Sequence, residues 1–81
     1  MPSLSELPSD VNRERFVRVL QSLGFQISKK GGSGSHYKAT WPQTRKMVIV
    51  QYKLRKDVLY ELLKEIKKIS GVEWEQIKER L

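Results

Sequence analysis

The chain has 81 residues, enough for one small domain, and contains no cysteine, which excludes disulfides and thiolate zinc sites. Its single histidine cannot supply the three or four ligands of another zinc site, so we expect no metal and no cofactor. No apolar run approaches the roughly 20 residues of a transmembrane helix, and the formal net charge of +7 favours an anionic partner.

Residues 1–10 contain two prolines and three serines without any periodic pattern. This composition predicts a flexible N-terminal lead-in to a single domain over residues 11–81. The lead-in lacks both the basic and the apolar region of a signal peptide. We therefore expect a soluble, cytoplasmic protein that does not associate with membranes.

A first helix is predicted to begin after Asn12, a good N-cap, with Val11 packing on Phe16 as a hydrophobic staple. Apolar residues then recur at the i, i+3, i+4 and i+7 spacing that gathers side chains on one helical face. These core candidates are Phe16, Val19, Leu20 and Leu23. Gly24 follows them and predicts the end of the helix.

Three strands are predicted next, over about 25–29, 36–41 and 46–52, with a glycine-rich turn after the first and a hairpin turn at 42–45. Because side chains alternate along a strand, His36 and Lys38 share one face of the second strand, and Ala39 lies on the other. The nearly continuous apolar sequence of the third strand predicts a central or doubly covered position.

Two helices are predicted after the sheet, over about 57–69 with Asp57 as a possible N-cap and over about 74–80. Gly71 ends the first of them. The element order is α-β-β-β-α-α, which predicts an α+β domain with a three-stranded antiparallel meander and helices on one face. The face that carries His36 and Lys38 is then partly open.

The basic residues are segregated along the chain. Residues 15–56 contain ten Lys and Arg and no acidic residue, whereas the two flanking regions hold all nine acidic residues and six basic ones. A basic central segment of this kind is typical of proteins that bind polyanions, and we favour nucleic acid over a merely solvated surface.

His36 directly follows the glycine-rich segment and lies within the basic region. The segment itself matches no phosphate-binding loop motif, because a strand and not a helix follows it, and a mobile turn is its simplest interpretation. An imidazole can exchange a proton near neutral pH, and RNA carries its own nucleophile in the 2′-hydroxyl. A surface histidine without catalytic function remains the alternative.

Several short motifs, in this order and spacing, resemble the HicA toxin family over about residues 11–81. They are Leu20-x-x-Leu23-Gly24-Phe25, Gly34-Ser35-His36, the Val-rich third strand, the Leu-rich helix, and Gly71-Val72 before a short last helix. The resemblance implies a fold like that of double-stranded RNA-binding domains and an mRNA-cleaving toxin that a HicB antitoxin neutralises. It also implies that His36 is the catalytic residue, preceded by the loop residues Gly34 and Ser35.

The chain differs from many members of that family at two places. Gln51-Tyr52-Lys53 stands where many members have a Pro-x-His segment, and Tyr37 stands where many have a second histidine.

The leading hypothesis is therefore a metal-independent endoribonuclease in which His36 acts as general base. Lys38, with Lys29 or Lys30 across the hairpin, would stabilise charge on the phosphate. Further backbone-binding candidates are Lys46, Lys53 and Arg55. The expected partners are mRNA and a HicB-like antitoxin that covers the basic face.

Two alternatives remain open at the level of the sequence. One is an RNA-binding module with the same fold and no catalysis, which would bind in a salt-dependent way. The other is a protein-interaction domain whose acidic partner covers the basic face.

Overall fold

The computed structural model describes residues 2–30 and 36–81. Within these ranges the element order is α-β-β-β-α-α, as predicted, with one additional 3₁₀ turn before it. The elements are the 3₁₀ turn Leu4–Glu6, α1 (Arg13–Ser22), β1 (Gln26–Lys30), β2 (His36–Trp41), β3 (Lys46–Val50), α2 (Lys56–Ser70) and α3 (Trp74–Lys78).

Helix α1 begins and ends where the sequence predicts. The Asn12 side chain accepts a hydrogen bond from the Arg15 backbone N–H at 3.0 Å, which satisfies one of the free donors of the first turn. Phe16 and Leu20 are fully buried, whereas Leu23 at the end of the predicted stripe is only half-buried. Gly24 follows with φ +116°, a backbone conformation that residues with a Cβ rarely adopt.

The three strands form one antiparallel sheet in the order β1-β2-β3. The predicted central or doubly covered position of β3 is wrong, because β2 is the middle strand and β3 lies at an edge. Met47 on β3 keeps 43% of its surface exposed. Both faces of β3 carry apolar side chains. Val48 and Val50 are buried on one face, and Met47 and Ile49 alternate with them on the opposite face.

The helices cover one face of this sheet and leave the other open, as predicted. Ala39 in the middle of β2 is completely buried, and it pairs with Ile27 on β1 and with Val48 on β3. The face opposite to Ala39 carries His36 and Lys38. The sheet therefore presents these polar side chains away from the hydrophobic core.

Helix α2 buries five apolar residues that recur at helical spacing: Leu59, Leu62, Leu63, Ile66 and Ile69. Its predicted cap is wrong, because the helix begins at Lys56 and Arg55 occupies the N-cap position without a side-chain cap bond. Asp57 lies in the first turn, where a carboxylate still interacts favourably with the helix dipole. Gly71 ends the helix in the left-handed region at φ +79°.

The segments before α1 and after α2 pack on the same core. The lead-in contains more structure than its composition predicts, because its 3₁₀ turn precedes Leu7, which is only 2% exposed. Helix α3 buries Trp74 and Ile77 and ends at Lys78, two residues earlier than predicted. In the described part of the chain, no helix is both long and apolar enough to cross a bilayer.

Candidate functional site

His36 is the first residue of β2 and is exposed on the open face of the sheet. Its backbone pairs with that of Lys30 on β1. Lys38 lies two residues further along the same face, about 7 Å away at the usual rise per strand residue, and is half-buried. The predicted loop residues Gly34 and Ser35 lie outside the described residues.

A depression of about 470 Å³ adjoins His36. It forms where the chain leaves β3, because the pairing of Tyr37 with Val50 brings the residues after β3 beside the start of β2. The lining residues are His36, Gln51, Tyr52, Lys53, Arg55, Asp57 and Val58. The structure therefore brings two of the predicted basic residues, Lys53 and Arg55, to the same depression as the imidazole.

Two other predicted basic residues are placed elsewhere. Lys29 pairs with Tyr37 and so lies on the face opposite to His36, with its Nζ atom 6.0 Å from the centre of the Tyr37 ring. Lys46 pairs with Trp41 at the far end of β2. Five residues of strand separate it from the His36 end, a distance of about 17 Å.

A cation–aromatic stack that residue spacing does not predict lies beside this depression. The Arg13 guanidinium lies between the rings of Tyr37 and Tyr52, with its Cζ atom 4.8 Å from each ring centre. The Arg13 side chain is only 10% exposed and also forms an ion pair with Glu14 at 3.2 Å. We call Arg13, Glu14, Tyr37 and Tyr52 the Arg13 cluster.

Glu14 connects this cluster to the central strand. The Tyr37 hydroxyl donates a hydrogen bond to Glu14 Oε2 at 2.8 Å. This bond lowers the pKa of the Glu14 carboxyl and raises the pKa of the Tyr37 hydroxyl, because it favours the ionised acid and the protonated phenol. At neutral pH the carboxylate is therefore charged and the phenol neutral, which keeps the hydrogen bond intact.

A second depression, of about 450 Å³, lies on the other side of the chain segment that follows β3. Its lining includes Arg13 and Glu14 as well as Tyr52, Lys53 and Arg55. Because the last three residues also line the depression at His36, the two depressions are adjacent. Together they form a groove that runs from His36 to the start of α1. Three cations and three carboxylates line this groove, and its exposed cations are Lys53 and Arg55.

The described side chains do not suggest a metal centre. In residues 2–30 and 36–81, no group of three or more His, Cys, Asp or Glu side chains is arranged to hold a metal ion. The ionisable side chains that line the groove are one imidazole, three cations, three carboxylates and the phenol of Tyr52.

The family model described as the HicA toxin of bacterial toxin–antitoxin systems matches residues 13–72, about three quarters of the chain. The chain belongs to the HicA toxin family. No curated protein and no solved structure matches this HicA-family chain. Membership in the family identifies it as the toxin of a toxin–antitoxin pair, so an antitoxin partner is expected.

The matched region of this HicA-family toxin includes β2 and the whole groove apart from residues 9–12. Helix α3 lies outside the match. The His36 depression and the Arg13 cluster are thus parts of the HicA domain itself.

Proposed function

We propose that this HicA-family toxin is a metal-independent endoribonuclease that cleaves mRNA in the cytoplasm with His36 as general base. The observation that carries the proposal is the position of His36, exposed at the start of β2 in a depression that also contains Lys53 and Arg55. Cations beside an imidazole attract a phosphodiester and hold it next to a group that can accept a proton.

In the proposed reaction, His36 removes the proton of a ribose 2′-hydroxyl. The 2′-oxygen forms a bond to the adjacent phosphorus, and the bond from phosphorus to the 5′-oxygen of the next nucleotide breaks. The 5′-oxygen takes a proton from water, which leaves a 5′-hydroxyl and a 2′,3′-cyclic phosphate. General base catalysis of this kind contributes about 10²–10⁴-fold to a rate.

The cations of the groove have a second function in this mechanism. Negative charge accumulates on the phosphate oxygens as the 2′-oxygen attacks, and a fixed positive charge stabilises it. We assign this function to Lys53 and Arg55, which line the depression, and to Lys38 on the same sheet face as His36. Lys30 is included because its backbone pairs with that of His36.

A second candidate function is RNA binding without cleavage. His36 is the only histidine of the chain, so a second imidazole is not available to protonate the leaving oxygen. The exposed cations Lys53 and Arg55 would bind RNA phosphates equally well in a toxin without this activity. In both cases we propose that the antitoxin is HicB-like and covers the basic face, including the exposed cations Lys53 and Arg55, with acidic side chains.

The test uses labelled single-stranded RNA in EDTA, with a single 2′-deoxy nucleotide placed at a mapped cleavage site. We expect the unmodified RNA to be cut to a 2′,3′-cyclic phosphate and the 2′-deoxy site to resist cleavage, because it lacks the nucleophile. Cleavage of the 2′-deoxy site at the normal rate, or loss of cleavage in EDTA, would contradict the mechanism. Binding of intact RNA without any cleavage would favour the second candidate.

A further inference from the structure

Tyr52 is unusually exposed for an aromatic residue in a defined contact. It keeps 64% of its surface exposed, although its ring stacks on the Arg13 guanidinium at 4.8 Å. It also lines both depressions of the groove that runs from His36 to the start of α1. The exposed cations Lys53 and Arg55 line the same depressions. An exposed aromatic ring beside cations is an arrangement by which proteins bind single-stranded nucleic acid.

The Tyr52 ring is backed by a stack that other contacts hold in place. Arg13 lies between Tyr52 and Tyr37. Its ion pair with Glu14, the next residue of α1, holds the guanidinium in this position. The Tyr37 hydroxyl bonds to Glu14 as well, so the lower part of the stack is tied to β2. A planar group can extend this stack at Tyr52, and the cation beneath the ring supports it from the other side.

We infer that Tyr52 is a nucleobase-stacking subsite that binds a base of the RNA strand next to the phosphate held at His36. The inference rests on the proposed function, since it takes RNA as the ligand. Lys53 follows Tyr52 directly and lines the same depression as His36. Lys53 would therefore bind a phosphate while Tyr52 stacks on the neighbouring base. Stacking engages the flat face that every base has, so the subsite positions the strand without selecting a sequence.

The competing explanation is structural, because Tyr52 could serve only to cover Arg13 and to fix the chain after β3. The two explanations differ in how they depend on the RNA. A structural substitution weakens binding of every RNA by the same factor. The loss of a stacking subsite removes affinity only when a base is present to stack.

The experiment is a double-mutant cycle on binding. The RNA carries 2′-deoxy nucleotides at the sites that the toxin cuts, and single abasic nucleotides are placed at each other position in turn. The proteins are the wild type, Tyr52→Phe, Tyr52→Leu and a control, Tyr60→Leu. Tyr60 is matched because its ring also contacts a cation, Lys64 Nζ at 5.7 Å, but it lies on α2 and is not among the described residues that line the groove.

We expect Tyr52→Phe and Tyr60→Leu to bind intact RNA like the wild type and Tyr52→Leu to bind it about 5- to 150-fold more weakly. One abasic position should weaken binding of the wild type by a similar factor and have no effect on Tyr52→Leu. An equal loss for Tyr52→Leu on intact and abasic RNA would overturn the inference, as would the absence of any sensitive position in the wild type.

The outcome also separates this inference from the proposed function. If the wild type cuts RNA and Tyr52→Leu binds as tightly as the wild type, only the stacking subsite is wrong. If the wild type shows the abasic pattern but cuts no RNA, the subsite stands and the catalytic proposal fails. A wild type that does not bind RNA overturns both.

Discussion

The two ends of strand β2 differ in almost every physical property. At the His36 end most side chains are exposed and polar, and they include the cations Lys53 and Arg55. At the Trp41 end, five residues along β2, the Trp41 ring packs on Phe25 with 4.8 Å between ring centres, and it also covers Gly24. The Thr44 hydroxyl in the following turn donates to the Ile69 carbonyl at 3.1 Å, which ties that end of the sheet to α2.

This difference shows that an 81-residue chain can place the residues that stabilise its fold and the residues proposed for catalysis at different ends of one strand. Packing that stabilises the fold is concentrated where β2 meets hydrophobic neighbours, and the groups proposed for catalysis lie where it opens to solvent. Substitutions at one end should therefore change unfolding, and substitutions at the other should change RNA binding and cleavage. The predictions for Gly24 and Lys53 test this separation, and the prediction for Tyr37 measures how much one hydrogen bond at the His36 end contributes to stability.

The largest effect on stability is expected for Gly24→Ala at the packed end. Gly24 has φ +116°, and a Cβ there would lie 3.2 Å from Trp41 Cζ3. Strained backbone and the crowded ring together should lower the free energy of unfolding by about 2–3 kcal/mol, measured by urea titration. RNA cleavage per folded molecule should not change.

Gly71→Ala is the matched control for this prediction. Gly71 also has a positive φ, +79°, but a Cβ there would meet nothing within 4 Å. Its cost should be that of a left-handed residue alone, about 1–2 kcal/mol. Equal losses of unfolding free energy in the two variants would show that contact with the Trp41 ring does not add to the cost at Gly24. A loss of RNA cleavage in folded Gly24→Ala would contradict the separation of the two ends.

An intermediate effect, on RNA affinity, is expected for Lys53→Ala at the open end. Lys53 lines both depressions of the groove, so its loss should remove one phosphate contact. The slope of log K against log salt should then fall by about 0.7 for single-stranded RNA, with little change in stability.

Lys46→Ala removes the same charge at the Trp41 end of β2, since Lys46 pairs with Trp41. Salt titrations of RNA binding should therefore separate the two variants. If Lys46→Ala changes the slope as much as Lys53→Ala does, the RNA footprint extends along the whole sheet and the groove is not its centre.

The smallest effect is expected for Tyr37→Phe, which removes the hydrogen bond to Glu14. Because the bond lowers the pKa of Glu14, it stabilises the fold fully at pH values above 4.5, the ordinary pKa of a glutamate. This contribution is lost as the pH falls through the lowered pKa. Because the bond also raises the pKa of Tyr37, its contribution is present at pH values below 10.0, the ordinary pKa of a tyrosine, and is lost as the pH rises through the raised pKa.

Urea titrations of the wild type and Tyr37→Phe should therefore differ at neutral pH and converge in acid as Glu14 becomes protonated. Tyr60→Phe is the control, because the Tyr60 ring contacts the Lys64 cation and not a carboxylate in the described structure. A difference between wild type and Tyr37→Phe that persists unchanged in acid would show that the Glu14 bond does not stabilise the cluster.

Local signals predicted the fold well where they act over a few residues. Asn12 caps α1 and Gly71 ends α2 because each needs only its immediate neighbours. The position of β3 was predicted wrongly because its composition indicates burial, whereas its place in the sheet follows from the order of the hairpins. Asp57 was assigned as the cap because of its residue type, although the helix begins one residue before it, at Lys56.

The candidate site was less predictable because it joins distant parts of the chain. His36 was found as the only histidine beside the glycine-rich segment, and strand alternation correctly placed Lys38 on its face. The face of Lys29 depends on hairpin register, which no local pattern specifies. The bond between Glu14 and Tyr37 spans 23 residues, so the Arg13 cluster could not be inferred from spacing.

Comparing His36→Ala with the wild type on labelled RNA in EDTA tests the central claim most directly, with unfolding measured on the same samples. His36 is exposed at the open end of β2 and is not part of the hydrophobic core, so the variant should have the same free energy of unfolding as the wild type. Cleavage should fall by about 10²-fold or more. Cleavage by folded His36→Ala at the wild-type rate would contradict the account.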